Sequence, residues 1–438
     1  MSFRSGSIRV AAFAALLGFA GAASAVTEIS FWHSMTGALG DRVQSIADRF
    51  NASQTEFKIV PVYKGTYPES MTAAIAAYRA KQAPAIVQVF EVGTATMMYS
   101  KGAIKPVWKL MQDAGEKFDP KAYVSAVYGY YATPEGKLVS MPFNSSTPVF
   151  YINKDAYVRA GLDPNKPPTT WPAVAADAAR LKASGEKCGF TFGWPSWTQV
   201  ENFSSWHNLP FATKQNGFGG LDARLTINGP LEVRHITNLK NWMDKGYVSY
   251  AGRTNEAESK FYSGECAMLM SSSGAFANIT KNAKFKFGVS QLPYYPDIPG
   301  APQNSIIGGA SLWVMSGHTP EEYKGVAKFF TFLSKPEIQA EWHQATGYLP
   351  ITTAAYELTK KSGFYEKTPG PNIAVEQMIV KTTSNSRGVR LGNFVQVRNV
   401  IEEELEGVWT GKKSPKAALD EAVTRGNEIL EKFQRANK

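Results

Sequence analysis

Several apolar runs in this chain stop at residues able to grip a small polar molecule. The run 86–90 ends at Glu91, 190–192 at Gly193 and Trp194, and 266–270 at Ser271, Ser272, Ser273 and Gly274. In open α/β sheets small ligands sit beyond the carboxyl ends of the strands, so this placement points to a binding crevice. The stretch 141–148 reads as a hydroxyl-rich turn. Its Ser145 and Ser146 could cradle an oxyanion with convergent hydroxyl and amide donors, or could merely cap a hinge turn. Ser272 lies in a second such turn. Trp194 offers a flat indole to the C–H face of a sugar or polyol, whereas Trp197 reads as core. Gly308 and Gly309 open a strand, where they would let backbone approach a ligand closely or form a bulge. Arg387, Arg390 and Arg398 flank Leu391-Gly392-Asn393, and a guanidinium fork suits phosphate if one of them faces a ligand.

Catalysis finds less support. The chain has no HExxH, GxSxG, Walker or GxGxxG pattern, and His33, His207, His235, His318 and His343 are isolated from one another. No cofactor and no metal site is expected. The two cysteines, Cys188 and Cys266, each open an apolar run. In an oxidising compartment they could tie neighbouring strands near their amino ends, or remain separate buried thiols.

That compartment is suggested by the first 25 residues. Arg4 and Arg9 precede the apolar stretch 10–22, and Ala23-Ser24-Ala25 supplies small residues for cleavage before Val26. The stretch is too short to span a bilayer, and no cysteine follows it to carry a lipid. A soluble periplasmic monomer is expected. Removing 25 of the 438 residues leaves enough chain for two domains. The formal charge of +10 falls by the leader's two arginines. The surplus is scattered, an ordinary lysine-bearing surface with some preference for anions and no basic stripe for nucleic acid.

The elements that must position these residues alternate. A short strand at 29–32 precedes a helix with Leu39, Val43, Ile46, Ala47 and Phe50 on one face. A strand at 59–63, a helix from Met71 to Ala80 and the strand at 86 follow, which implies a largely parallel sheet. Later helices start at Thr170, Thr319 and Ser414, each with a proline close behind, and Thr319 with Glu322 forms a capping box.

Longer strings carry a resemblance. Pro142 to Pro148, Tyr151-Ile152-Asn153-Lys154-Asp155 with Ala160-Gly161-Leu162, Pro168-Thr169-Thr170-Trp171, Gly264 to Met268 and Gly347-Tyr348-Leu349-Pro350 resemble the solute-binding proteins of ABC importers, the maltose-binding-like family. Within it, Phe31 to Met35, Glu91 to Met98 and Ile306 to Met315 are similar to members that bind sn-glycerol 3-phosphate. The resemblance implies an α/β, two-lobed periplasmic binding protein fold, each lobe a mostly parallel sheet flanked by helices, with the ligand cleft between them. It implies one lobe from 26–147 and 292–347 and a second from 148–291 and 348–438. It implies a pocket of Tyr67, Glu91, Ser146, Trp194, Ser272, Gly309, Tyr348 and Arg398. In that pocket Glu91 would accept from glycerol hydroxyls, Trp194 would pack on carbon, and Ser146, Ser272, the Gly309 amide and Arg398 would donate to phosphate. The expected ligands are sn-glycerol 3-phosphate and glycerophosphodiesters, the expected partners a membrane permease and its ATPase. An oligosaccharide carrier is the alternative. The stretch 381–386 is polar where relatives are proline-rich, which bears on the segment leading to Arg398.

Overall fold

The computed structural model describes residues 1–2, 26–378 and 382–438; the leader read over 1–25, but for its first two residues, and Lys381 of the polar stretch lie outside the described residues. Among the described residues ten strands form two five-stranded sheets. In the first, β1 (Thr27–His33), β2 (Phe57–Tyr63), β3 (Ile86–Phe90), β4 (Met141–Ser146) and β10 (Gly308–Val314) take the order β2-β1-β3-β10-β4. In the second, β5 (Pro148–Asn153), β6 (Cys188–Phe192), β7 (Val248–Ser249), β8 (Cys266–Ser272) and β9 (Phe287–Ser290) take the order β7-β6-β8-β5-β9. Each sheet has one strand reversed against the others, β10 in the first and β5 in the second.

Strand-helix alternation produces this layout as the sequence predicts. Helix Gly37–Ala52 buries Val43, Ile46, Ala47 and Phe50. The Thr319–Glu322 capping box opens helix Pro320–Leu333, and the Thr170 and Ser414 hydroxyls cap the helices that follow them. Pro61 sits in β2, at a sheet edge, where a missing backbone N–H costs no ladder bond.

One expectation is corrected. The stretch 141–148 is not a turn: residues 141–146 are the buried edge strand β4. Pro142 is tolerated because the ladder to β10 shifts register beside it, between Ala310 and Ser311, and because the outer edge needs no donor.

The chain passes between sheets at Thr147, the only residue between β4 and β5. It returns through 291–307, and a third passage lies between helix Thr353–Lys361 and helix Pro371–Glu376, which packs on β5 and β9. Leu349, whose N–H donates to the Ser145 carbonyl at 2.8 Å, is still on the first sheet's side. At these passages the Thr147 carbonyl accepts from Ser273 N at 2.9 Å and the Thr147 hydroxyl donates to Ser305. Helices Pro336–Thr346 and Thr353–Lys361 pack on each other, carrying the helical cover of the first sheet past Tyr348. Helices Phe394–Trp409 and Pro415–Ala436 form the closing pair.

Cys188 and Cys266 pair as a disulfide across adjacent parallel strands, with Cα atoms 4.6 Å apart. Each is the first residue of its strand, so the bond ties the amino ends of β6 and β8, opposite the ends that carry Trp194 and Ser272.

Candidate functional site

The carboxyl ends of β3, β4, β6 and β8 and the start of β10 converge on one cavity between the sheets. Its volume is about 870 Å³ including the open mouth, within the range of small-molecule sites. Tyr67, Glu91, Ser146, Trp194, Ser272, Gly309, Tyr348 and Arg398 all line it. Arg387 and Arg390 do not; both guanidinium groups lie over the Phe218 ring, and Arg390 also donates to the carbonyls of Tyr130 and Ala132.

On the first sheet's side an amide relay sets the geometry. The Ser34 N–H donates to Gln88 Oε1 at 2.8 Å, Gln88 Nε2 to Asn144 Oδ1 at 2.9 Å, and Asn144 Nδ2 to Tyr67 Oη at 2.9 Å. Gln88 and Asn144 are fully buried, so the relay satisfies groups that would otherwise be costly orphans. The Tyr67 ring is stacked on Phe90 at 5.3 Å, leaving its other side toward Trp194 at 6.3 Å. Burial raises the Tyr67 hydroxyl well above its ordinary value, so it serves as a neutral group.

Small residues line the back wall because nothing larger fits. Gly309 has φ +81°, and a Cβ there would stand 1.9 Å from the Asn144 carbonyl oxygen. At Gly308 a Cβ would lie 2.3 Å from the Trp197 ring, and at Gly274 it would lie 2.7 Å from the Tyr348 ring. Tyr348 is itself stacked on Trp342 at 6.0 Å. The Ser272 Oγ accepts from the Gly274 N–H at 3.1 Å, which leaves its hydroxyl hydrogen for another partner.

The second sheet's side is built on an unusual turn. Trp194 has φ +53°, a left-handed conformation costly for an aromatic residue and the kind of strain found at ligand sites. A π-helical turn, Ser196–Glu201, follows directly. Its wide winding presents Trp197 to the cavity and turns Glu201 toward Arg398. Trp197, read as core, is both buried and part of the cavity wall.

Arg398 is the single cation among the described residues lining the cavity, and two carboxylates share it. Its Nε donates to Glu201 Oε1 at 2.9 Å, and its Nη2 donates to Glu201 Oε2 and to Glu91 Oε1, both at 2.7 Å. Nη1 has no partner among the described residues. Burial disfavours the guanidinium charge, but Glu201 and Glu91 together hold it above the ordinary arginine value. Burial pushes the Glu91 carboxyl up, against the pull of Arg398. A third acid, Glu258, lines the wall; burial raises it to about 7, opposed by the hydrogen bond that the Ser271 hydroxyl donates to it.

Glu201 and Glu258 were not visible as site residues in the sequence. Glu201 lies inside a π-helical turn, whose winding no 3.6-residue periodicity describes, and Glu258 sits in the short helix Glu256–Tyr262 with an ordinary solvated-helix pattern. Among the described residues no cluster of His, Cys, Asp or Glu is arranged to hold a metal, and no helix is long and apolar enough to cross a membrane.

Known proteins are similar to this chain in sequence and in fold. A family model for bacterial extracellular solute-binding proteins matches residues 45–370. The chain is 58% identical over 424 residues, 96% of each chain, to the sn-glycerol-3-phosphate-binding periplasmic protein UgpB of Yersinia pseudotuberculosis. It is 57% identical over 424 residues, 96% of this chain and 97% of the other, to UgpB of Salmonella typhimurium. Among solved structures, UgpB from Mycobacterium tuberculosis in complex with glycerophosphocholine matches with a TM-score of 0.78 at 23% identity, over 92% of this chain and 98% of that one. Maltose-bound MalE3 of T. maritima matches with a TM-score of 0.74 at 16% identity, over 92% and 100%. At these two identities the likeness is one of fold. With the family model spanning most of the chain and relatives this similar along nearly all of it, the chain belongs to the bacterial extracellular solute-binding proteins.

Proposed function

We propose that the protein is the periplasmic solute-binding component of an ABC importer and captures sn-glycerol 3-phosphate, with glycerophosphodiesters as further ligands. The observation that carries this reading is the gathering of Tyr67, Glu91, Ser146, Trp194, Ser272, Gly309, Tyr348 and Arg398 around one cavity between two sheets. Relatives of 57–58% identity that bear the glycerol-phosphate name support the ligand. In the arrangement we propose, Arg398 turns its unpartnered Nη1 to the phosphate, with the Ser146 and Ser272 hydroxyls and the Gly309 amide as neutral donors. Glu91 faces the glycerol hydroxyls, and Trp194 covers the carbon chain. The first sheet with its covering helices, which extend beyond residue 347 to Lys361, forms one jaw, the second sheet with its own helices the other, and closure presents the loaded form to the permease. The protein acts as a monomeric carrier and releases its cargo unchanged.

An oligosaccharide cargo is favoured by one feature only, the aromatic wall of Tyr67, Trp194 and Trp197 beside the acids Glu91 and Glu258. Calorimetric titration of ligand-free protein with sn-glycerol 3-phosphate, glycerol and maltose separates the two. Micromolar binding of the ester, roughly −8 kcal/mol, with none of glycerol or maltose is expected. Binding of maltose alone would return Arg398 to a structural role.

A further inference from the structure

Glu402, on the same helix as Arg398, is a buried acid that the binding reading does not use. Its Oε1 accepts one hydrogen bond, from the Ser196 N–H at 2.7 Å, and its Oε2 is buried without a partner among the described residues. Every cation near it is claimed by another carboxylate. Arg398 gives Nε and Nη2 to Glu201 and Glu91, and Arg253 gives Nε and Nη2 to Glu406 at 2.8 and 2.6 Å. Tyr250, the remaining titratable neighbour on that side, donates to Glu406 as well. An ionised carboxylate so placed would be a buried charge with a single hydrogen bond, which a protein avoids by keeping the proton.

Glu402 is nevertheless connected to the cavity. Ser196, whose N–H it accepts, donates its own hydroxyl to Glu201 Oε1 at 3.1 Å, the oxygen that also receives Arg398 Nε. One serine therefore separates the acid from the clamp on the cavity's cation. We propose that Glu402 is held as a neutral acid behind the cleft and sets the pH range of anion capture, its ionisation adding a negative charge behind Arg398 and weakening the hold on phosphate esters. This rests on the phosphate-ester reading of the cavity. Burial, the largest influence on it, lifts the Glu402 carboxyl to about 8, against smaller opposing contributions from Ser196, Arg398 and Arg253. The contribution of neutral Glu402 to anion binding is then complete well below pH 8 and is lost as the pH rises through about 8. Glu258, in the cavity wall, changes charge near 7 and so acts in a lower window.

The test is the affinity for sn-glycerol 3-phosphate between pH 7.5 and 9.5, where the ester is already dianionic since a phosphate's second ionisation lies near 6. The full-length mature protein should lose at least roughly tenfold in affinity across this range. One added charge about 10 Å from a dianion at an effective dielectric of about 20 opposes binding by more than about a hundredfold, so the loss is limited by the titration of Glu402 itself, to about 25-fold. Glu402→Gln should give a flat profile. A second measurement needs no variant: calorimetry at pH 8.5 in buffers of different ionisation enthalpy should show net proton uptake on binding. A flat wild-type profile, a decline that Glu402→Gln retains, or no proton uptake at pH 8.5 would each overturn the proposal. Absence of ester binding at every pH strikes the proposed ligand instead, so the two failures are distinct.

Discussion

The two sheets share one layout, four strands one way and one reversed, yet they hold their cleft-facing ends by different physics. At the first sheet the end is set by neutral hydrogen bonds: the Ser34, Gln88 and Asn144 relay fixes Tyr67, and Gly309 admits the Asn144 carbonyl. At the second it is set mainly by charge and strain: a left-handed Trp194, a π-helical turn, and Glu201 clamped on Arg398 through two donors, with Glu91 the one charged group that the first sheet adds to this cluster. The second sheet alone is tied by a disulfide at its far end. The jaw that carries the strained, charged parts is thus the one with the covalent brace. Neutral relays tolerate loss of a member better than buried ion clusters do, because an abandoned charge costs more than an abandoned amide.

Breaking the charged side should therefore have the largest effect. Arg398→Ala leaves Glu91 and Glu201 buried without their cation, and the expected loss of stability is roughly 3–5 kcal/mol, read from denaturant unfolding, together with loss of ester binding. An unfolding midpoint close to wild type would put the two sides on an equal footing. Next comes the brace: replacing Cys188 and Cys266 together by alanine opens a closure spanning 78 residues and should cost roughly 2–4 kcal/mol, with ester affinity little changed at temperatures where the fold persists. A large loss of affinity in the folded variant would show that the far end of the second sheet does position its cleft end. The smallest effect should come from the neutral relay. Asn144→Ala removes one donor to Tyr67 and one acceptor from Gln88, for about 1–3 kcal/mol, and should slacken ligand binding by less than Arg398→Ala does. Equal effects of the two substitutions would erase the distinction between the jaws.

The same contrast explains what could be read from the sequence. Glu91, Trp194 and Ser272 were legible because each directly follows or ends an apolar strand, and the end of a parallel strand is where open sheets place ligands. The cysteine pair was legible because both residues open such strands. Tyr67 and Tyr348 came from the family resemblance alone; one begins a helix and the other follows a helix ended by Gly347, positions that carry no local signal of chemistry. Glu201, Glu258 and Glu402 escaped because their significance is tertiary: what marks them is a missing or shared cation, which only folding assigns. The β4 strand was misread because Pro142 and its hydroxyls look like a turn unless the strand is known to be an edge beside a bulge.

One consequence of the Thr147 passage concerns motion. The residue on its amino side, Ser146, is registered against Gly308, and the residue on its carboxyl side, Pro148, against Ser272. Any rotation between the jaws that is taken up at Thr147 swings two wall hydroxyls, Ser146 and Ser272, relative to each other by the same angle. In the reading proposed above, the turning point and one donor, Ser146, are neighbours in the chain, and the other, Ser272, is registered against the next residue, so at this edge the cavity would not open without changing its own donor geometry.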